Sequence, residues 1–250
     1  MSFIFHVVFY QPILNLLVFF YNIIPTHDLG LAIIVVTVLI KLILFPLSQQ
    51  SIKSQKQLQE IQPKIEEAKS KFANNKEEMA RATMALYKEH KVNPFSSCLP
   101  LLVQLPFFFA VFQVFRDFGK ADAMKYVYKF NHLPEIHSTM GLLGLIDLSK
   151  PNYLLAILAG LAQFWQAKMF STKKPEVKTN DSKDENMAAI MNKQMLYMMP
   201  ALTIFIGFTL PSGLSLYWFV TTILTVLQQI YVFKHKLKKQ DTSIISEIVK

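Results

Sequence analysis

Apolar character dominates five stretches of the chain, at about residues 29–47, 95–115, 152–170, 194–210 and 213–233. Each is roughly 17–25 residues long, the length a helix needs to cross the hydrocarbon of a bilayer. Short polar or charged segments separate them. The pattern predicts an all-α membrane protein with spans at 29–51, 94–116, 151–170, 194–210 and 211–233. The connecting segments are then 52–93, 117–150 and 171–193, and a tail follows over 234–250.

Lysine and arginine counts in the connections orient the spans, because basic residues concentrate on the cytoplasmic side. Residues 52–93 carry nine, 168–193 carry six and the tail carries five. The segment 116–150 also carries five, from Arg116 to Lys150. Twenty against five predicts that 52–93, 171–193 and the C-terminus are cytoplasmic and that 117–150 lies outside. The protein is thus expected to be a multi-pass protein of the cell (plasma or inner) membrane. Leu210-Pro211-Ser212-Gly213 becomes an outer turn between the last two helices.

Residues 1–28 fit two placements. Residues 3–24 are uncharged and long enough to span, yet Gln11, Asn15 and Asn22 fall on one narrow helical stripe. Such a stripe suits an amphipathic helix lying on the outer surface, while a sixth span satisfies the charge rule equally well. No cleavable leader is expected, because residues 1–27 hold neither Lys nor Arg.

Between the first two spans, 52–93 predicts two charged helices. Pro63 is expected to restart the first, since proline removes a donor from a helix interior. Ala73–Asn75 supplies the turn, with Asn75 as N-cap and Glu77 and Glu78 in the first turn of the second helix. That helix directs Met79, Thr83, Leu86 and Tyr87 to one side.

One residue violates the apolar pattern of the first span. Lys41 is the only charge between Leu29 and Leu47, and an ammonium at mid-bilayer costs roughly 2.5–3.5 kcal/mol on insertion scales. Thr37, Lys41 and Ser48 share a stripe. So do Asn152, Gln163 and Gln166 in the third span, and Trp218, Thr222, Thr225 and Gln229 in the last. Three polar faces can enclose a wet cavity that hydrates Lys41. The alternative is plain hydrogen bonding between helices. Met187, Met191, Met195, Met198 and Met199 recur at helical spacing before and within the fourth span. Packing against lipid or neighbouring helices accounts for them, although methionine also suits varied apolar partners.

Composition agrees with a membrane protein: 52% of residues are hydrophobic, 21 are Phe, and the mean hydropathy is +0.30. The net charge of +9 marks the cytoplasmic side and calls for no DNA. The single cysteine, Cys98, excludes an internal disulfide and reads as a small buried hydrophobe. No phosphate-binding glycine loop, H-E-x-x-H metal motif or nucleophile motif is present, and His132 and His137 read as solvated. Neither enzymatic chemistry, a cofactor nor a metal is expected.

Several stretches taken together resemble the YidC membrane-insertase family and its organelle relatives, the Oxa and Alb insertases. They are TVLIKLILFPLS (37–48), QPKI (62–65), MALYKEHKVNPFSSCLPLLVQLPFF (84–108), LPSGLSLYW (210–218) and LQQ (227–229), and the resemblance covers about 10–235. It implies a five-helix core with a hydrophilic groove open to cytoplasm and lipid, a cytoplasmic helical hairpin and an outer amphipathic helix. Members of this family usually carry arginine where this chain has Lys41, so the charge is kept and the guanidinium's fork of donors is lost. The resemblance leads one to expect the short form, without the large outer domain of some bacterial members. The groove residues implied are Lys41, Thr37, Gln104, Gln163, Gln166, Trp218 and Thr222. The implied partners are nascent membrane proteins and the lipid bilayer, with the ribosome and the Sec translocon as further candidates. The basic KHKLKK segment (234–239) suits anionic lipid better than ribosomal RNA. A small transporter or channel using Lys41 as an intramembrane site is the alternative, although no internal repeat of the Lys41 segment is seen.

Overall fold

A computed structural model describes residues 3–73, 75–93, 99–118, 120–131, 140–170 and 194–248. Cys98, His132, His137, Met187, Met191 and the 171–193 connection lie outside the described residues. Along the chain run α1 (Phe3–Ile23), α2 (Leu29–Ile43), α3 (Phe45–Lys71), α4 (Lys76–Glu89), α5 (Leu99–Asp117) and the short α6 (Ala121–Met124). An antiparallel pair, β1 (Met140–Gly141) and β2 (Ile146–Asp147), follows, with Met140 opposite Asp147. Then come α7 (Tyr153–Phe170), α8 (Met199–Gly207) and α9 (Ser212–Ile248). The chain divides into two compact units.

The first unit joins Met1–Leu44, Leu101–Phe164 and Met199–Leu224. Its core is a continuous apolar cluster in which Leu14, Val18, Ala32, Ile33, Ala110 and Val114 are almost fully buried. Small residues let α7, α8 and α9 approach closely. A methyl group added at Gly207 would stand 2.6 Å from Ala156 Cβ and 2.9 Å from Ser215 Oγ. Gly207→Ala must therefore push two helices apart and is expected to cost about 1–3 kcal/mol, the range for overpacking. Reversible unfolding in mixed micelles measures it, and unchanged stability would show that these helices can separate freely.

α1 and α9 explain themselves by length and apolarity. Phe3–Ile23 (21 residues) and Ser212–Lys234 (23 residues) are each long and apolar enough to cross a membrane, and α2 with α3 meets the same test when the two are taken together. The sequence predicts one unbroken helix over 29–51, but the helix ends at Ile43. Pro46 is the cause: it has no N–H to donate to Leu42, four residues earlier. The Leu42 carbonyl takes the N–H of Leu44 instead, as does that of Ile40.

The second unit contains the helical hairpin of α3 and α4. Ile61, Ile65 and Val92 are buried, with Leu58, Leu86 and Tyr87 packed on them. Burial raises the Tyr87 hydroxyl above its ordinary pKa. Asn75 caps α4 as its sequence predicts, its side chain accepting the N–H groups of Glu77 and Glu78, each at 3.2 Å. Pro63 does not restart α3, which runs through it. That proline is exposed, so water can satisfy the carbonyl it leaves without a donor.

Candidate functional site

α2 carries the intramembrane charge. Asp28 starts the helix as its N-cap, accepting from Leu31 N at 2.8 Å. Lys41 stands 13 residues on, about 20 Å along the axis at 1.5 Å per residue, in the last turn. The end of a helix carries partial negative charge, which favours a cation there by about 0.3–1 kcal/mol. The ammonium is therefore not at the middle of an unbroken helix. It sits one turn before a break, half-buried. The same break interrupts the polar stripe, since Ser48 belongs to α3.

Thr37 lies one turn earlier and is 1% exposed. Its hydroxyl donates to Ile33 O at 2.6 Å, within its own helix. Beside it is a narrow apolar cavity lined by Leu17, Ile33, Val36, Val111 and Tyr217 among others. Tyr217 is buried, and its hydroxyl accepts a hydrogen bond from the Gln104 amide of α5. The next residue, Trp218, packs its ring on Phe108 with centroids 5.1 Å apart at 40°. One turn further along α9, Thr222 is buried.

The polar groups of α7 divide among three roles. Asn152 caps its start, accepting from Leu155 N at 3.0 Å. Gln163 accepts from the Thr203 hydroxyl of α8. Gln166 is half-buried and belongs to the second unit. In the first unit, the predicted residues Thr37 and Gln104 thus meet at Tyr217, while Trp218 packs on Phe108. Tyr217 and Thr203 escaped sequence reasoning. The available signal was chemical: a buried tyrosine or span-centred glutamine needs a polar partner.

The polar stripe of α1 has partners as well. Asn15 donates to Tyr126 O at 3.0 Å and accepts from Tyr128 N at 2.6 Å and Asn131 Nδ2 at 3.1 Å. Gln11 also donates to Tyr126 O, at 3.2 Å. Ring contacts extend the seam, from Tyr21 on Phe118 at 5.7 Å to His6 on Tyr126 at 4.3 Å. An irregular segment exposes peptide groups that must be satisfied, and α1 supplies the partners.

A protein-family model described as 60Kd inner membrane protein matches residues 19–240. A protein of Geotalea daltonii named Membrane protein insertase YidC is 39% identical over 226 residues, covering 90% of this chain and 37% of that protein. One of the same name from Fusobacterium nucleatum subsp. nucleatum is 38% identical over 207 residues, covering 83% of this chain and 87% of the relative. A third, from Geobacter sulfurreducens, is 36% identical over 224 residues, covering 89% of this chain and 36% of its own. The chain spans little more than a third of the length of most of these relatives.

Proposed function

The chain belongs to the 60Kd inner membrane protein family, and from that premise we propose that it inserts nascent membrane proteins into the bilayer and assists their folding. The relatives' name, membrane protein insertase, supports this reading over the transporter alternative. Five spans with a cytoplasmic C-terminus form the core, and the distribution of lysine and arginine supports that orientation. α1 lies along the outer surface. Its support comes from Phe118 and residues 120–131, which carry Lys120, Asp122 and Lys125 and follow α1 from Tyr21 to His6. The length and apolarity of α1 also suit a sixth span.

The single observation that carries the mechanism is the position of Lys41. With Asp28 at the outer boundary, the ammonium lies about 20 Å into a hydrocarbon core about 30 Å thick. Its flexible stem reaches toward the cytoplasmic interface, where water is available. The substrate's short polar outer segment enters a groove formed by Lys41, Thr37, Gln104, Gln163, Trp218 and Thr222. Lys41 attracts acidic residues of that segment and keeps the groove hydrated. For the substrate's polar segment, this shortens the apolar thickness to be crossed from about 30 Å to about 20 Å. Its apolar helix then leaves sideways into lipid, driven by transfer at about 25 cal/mol per Å² of buried surface. No catalytic step or cofactor enters. The ribosome and the Sec translocon are candidate partners through the cytoplasmic segments.

Impermeant thiol labelling of intact cells, with Cys98 replaced by serine, tests the arrangement. Cysteines at Ile4, Lys120 and Lys125 should react from outside, while those at Lys64, Arg81 and Lys239 should be protected. Protection at Ile4 would make α1 a sixth span. Reaction at Arg81 would invert the topology and remove the groove.

A further inference from the structure

The turn between β1 and β2 presents two leucines that the core does not use. Leu143 is 72% and Leu145 81% exposed. The backbone around them is left-handed at Leu142 (φ 54°), Leu143 (φ 62°) and Gly144 (φ 82°). Such values are uncommon for bulky residues and persist only when surrounding contacts hold them. Here the Asp28 carboxylate holds them, with one oxygen accepting from Leu142 N at 3.0 Å and the other from Leu143 N. Gly30 and Gly141 close the joint: a methyl group on Gly30 would stand 2.7 Å from Leu142 N, and one on Gly141 2.7 Å from Gly30 N. The fold thus enforces a strained turn whose outcome is two leucines displayed rather than buried.

Its level in the molecule says what they meet. The β-hairpin is bound to the first residues of two apolar helices. Asp28 ties it to α2, while Ser212 N donates to Lys150 O at 2.9 Å and Gly213 N to Leu148 O at 3.2 Å at the start of α9. The Ser212 hydroxyl adds a bond to Asp147 O at 3.0 Å. α7 begins three residues after Lys150, with Tyr153 and Leu154 exposed. Where membrane helices begin, hydrocarbon gives way to headgroups, and exposed tyrosines belong to that belt. Lys150, exposed and 3.0 Å from Asp147, provides the matching polar side.

We infer that this β-hairpin is a wedge seated in the bilayer leaflet at which α2 and α9 begin, with Leu143 and Leu145 among the acyl chains and Lys150 among the headgroups. The partner is the lipid surface itself. The inference rests on the helices crossing a bilayer, and neither on insertion activity nor on which side is cytoplasmic. The wedge fixes the depth at which α2 starts. α2 has only 15 residues, about 22 Å at 1.5 Å per residue, so its start sets the depth of Lys41.

Nitroxide labels provide the test. In the full chain with Cys98→Ser, single cysteines replace Leu143, Leu145 and the exposed Ser149, and each variant is labelled and reconstituted into phosphatidylethanolamine–phosphatidylglycerol vesicles. Power saturation compares collision with oxygen, which concentrates in the acyl region, and with a water-soluble nickel chelate. The wedge requires oxygen to exceed nickel at Leu143 and Leu145 and nickel to exceed oxygen at Ser149. Nickel dominance at both leucines would place the turn in water. Low collision with both reagents would mean that a protein surface covers it. Either result overturns the proposal and leaves the insertase reading standing.

Discussion

Asp28→Ala is expected to destabilise the first unit by at least about 3 kcal/mol, combining a lost N-cap worth about 1 kcal/mol with two further backbone donors left without acceptors at about 1–3 kcal/mol each. The Asp28 side chain is 4% exposed and serves Leu31, Leu142 and Leu143 together. Its loss uncaps α2 and removes the two hydrogen bonds that hold the left-handed backbone to α2. Asp28→Asn should cost about half as much, because the amide retains one acceptor oxygen for Leu31 and Leu142 but turns a donor toward Leu143. Unfolding by SDS in mixed micelles gives both values. Protease cleavage between residues 142 and 145 should rise in the same order. If Asp28→Ala unfolds with the parent protein, the carboxylate does not hold the turn.

The contrast between Asp28 and Asn75 shows what the sequence discloses. A cap is a local relation, so Asn75 before Glu77 and Glu78 is legible, and the start of α2 at residue 29 is equally so. The other half of Asp28's work joins residues more than a hundred positions apart, and no spacing rule reaches that far. Periodicity likewise put Gln11 and Asn15 on one face without revealing that Tyr126, Tyr128 and Asn131 cover it. The break at Leu44 was written in Pro46, but hydropathy summed over nineteen residues runs straight across it. At Pro63 the same residue type left the helix intact. Both prolines are exposed, but they differ in setting: Pro46 stands in the first turn of α3, directly after an apolar helix, and Pro63 stands inside a charged one. β1 and β2 escaped an all-α expectation because their four residues show no alternation to read.

The polar residues of the spans follow the same division. That Gln104 and Gln163 would need partners was evident from their surroundings. That those partners are Tyr217 and Thr203 is a matter of helix packing. Lys41 stood out as a violation of its own pattern, and its position in the last turn of α2 accounts for how the chain tolerates it. Tolerance is not a task, and the proposed mechanism gives it one.

Lys41→Leu is expected to reduce insertion of a substrate with an acidic outer segment by roughly tenfold, about 1.4 kcal/mol. This lies well within the Coulomb attraction of about 4 kcal/mol for a pair of charges 4 Å apart at an effective dielectric of 20. The substitution makes α2 more apolar, which favours its own membrane insertion by a few kcal/mol, so lost activity would not reflect failed assembly. Lys41→Arg should retain activity, since the charge remains and only the donor geometry changes. The direct measurement uses two reporters that differ by one Asp→Asn change in the outer segment, scored by protease protection in liposomes carrying each variant. The account predicts that Lys41→Leu impairs both reporters, the acidic one more, while Lys41→Arg inserts both. Equal insertion of both reporters by Lys41→Leu and the unaltered protein would contradict it.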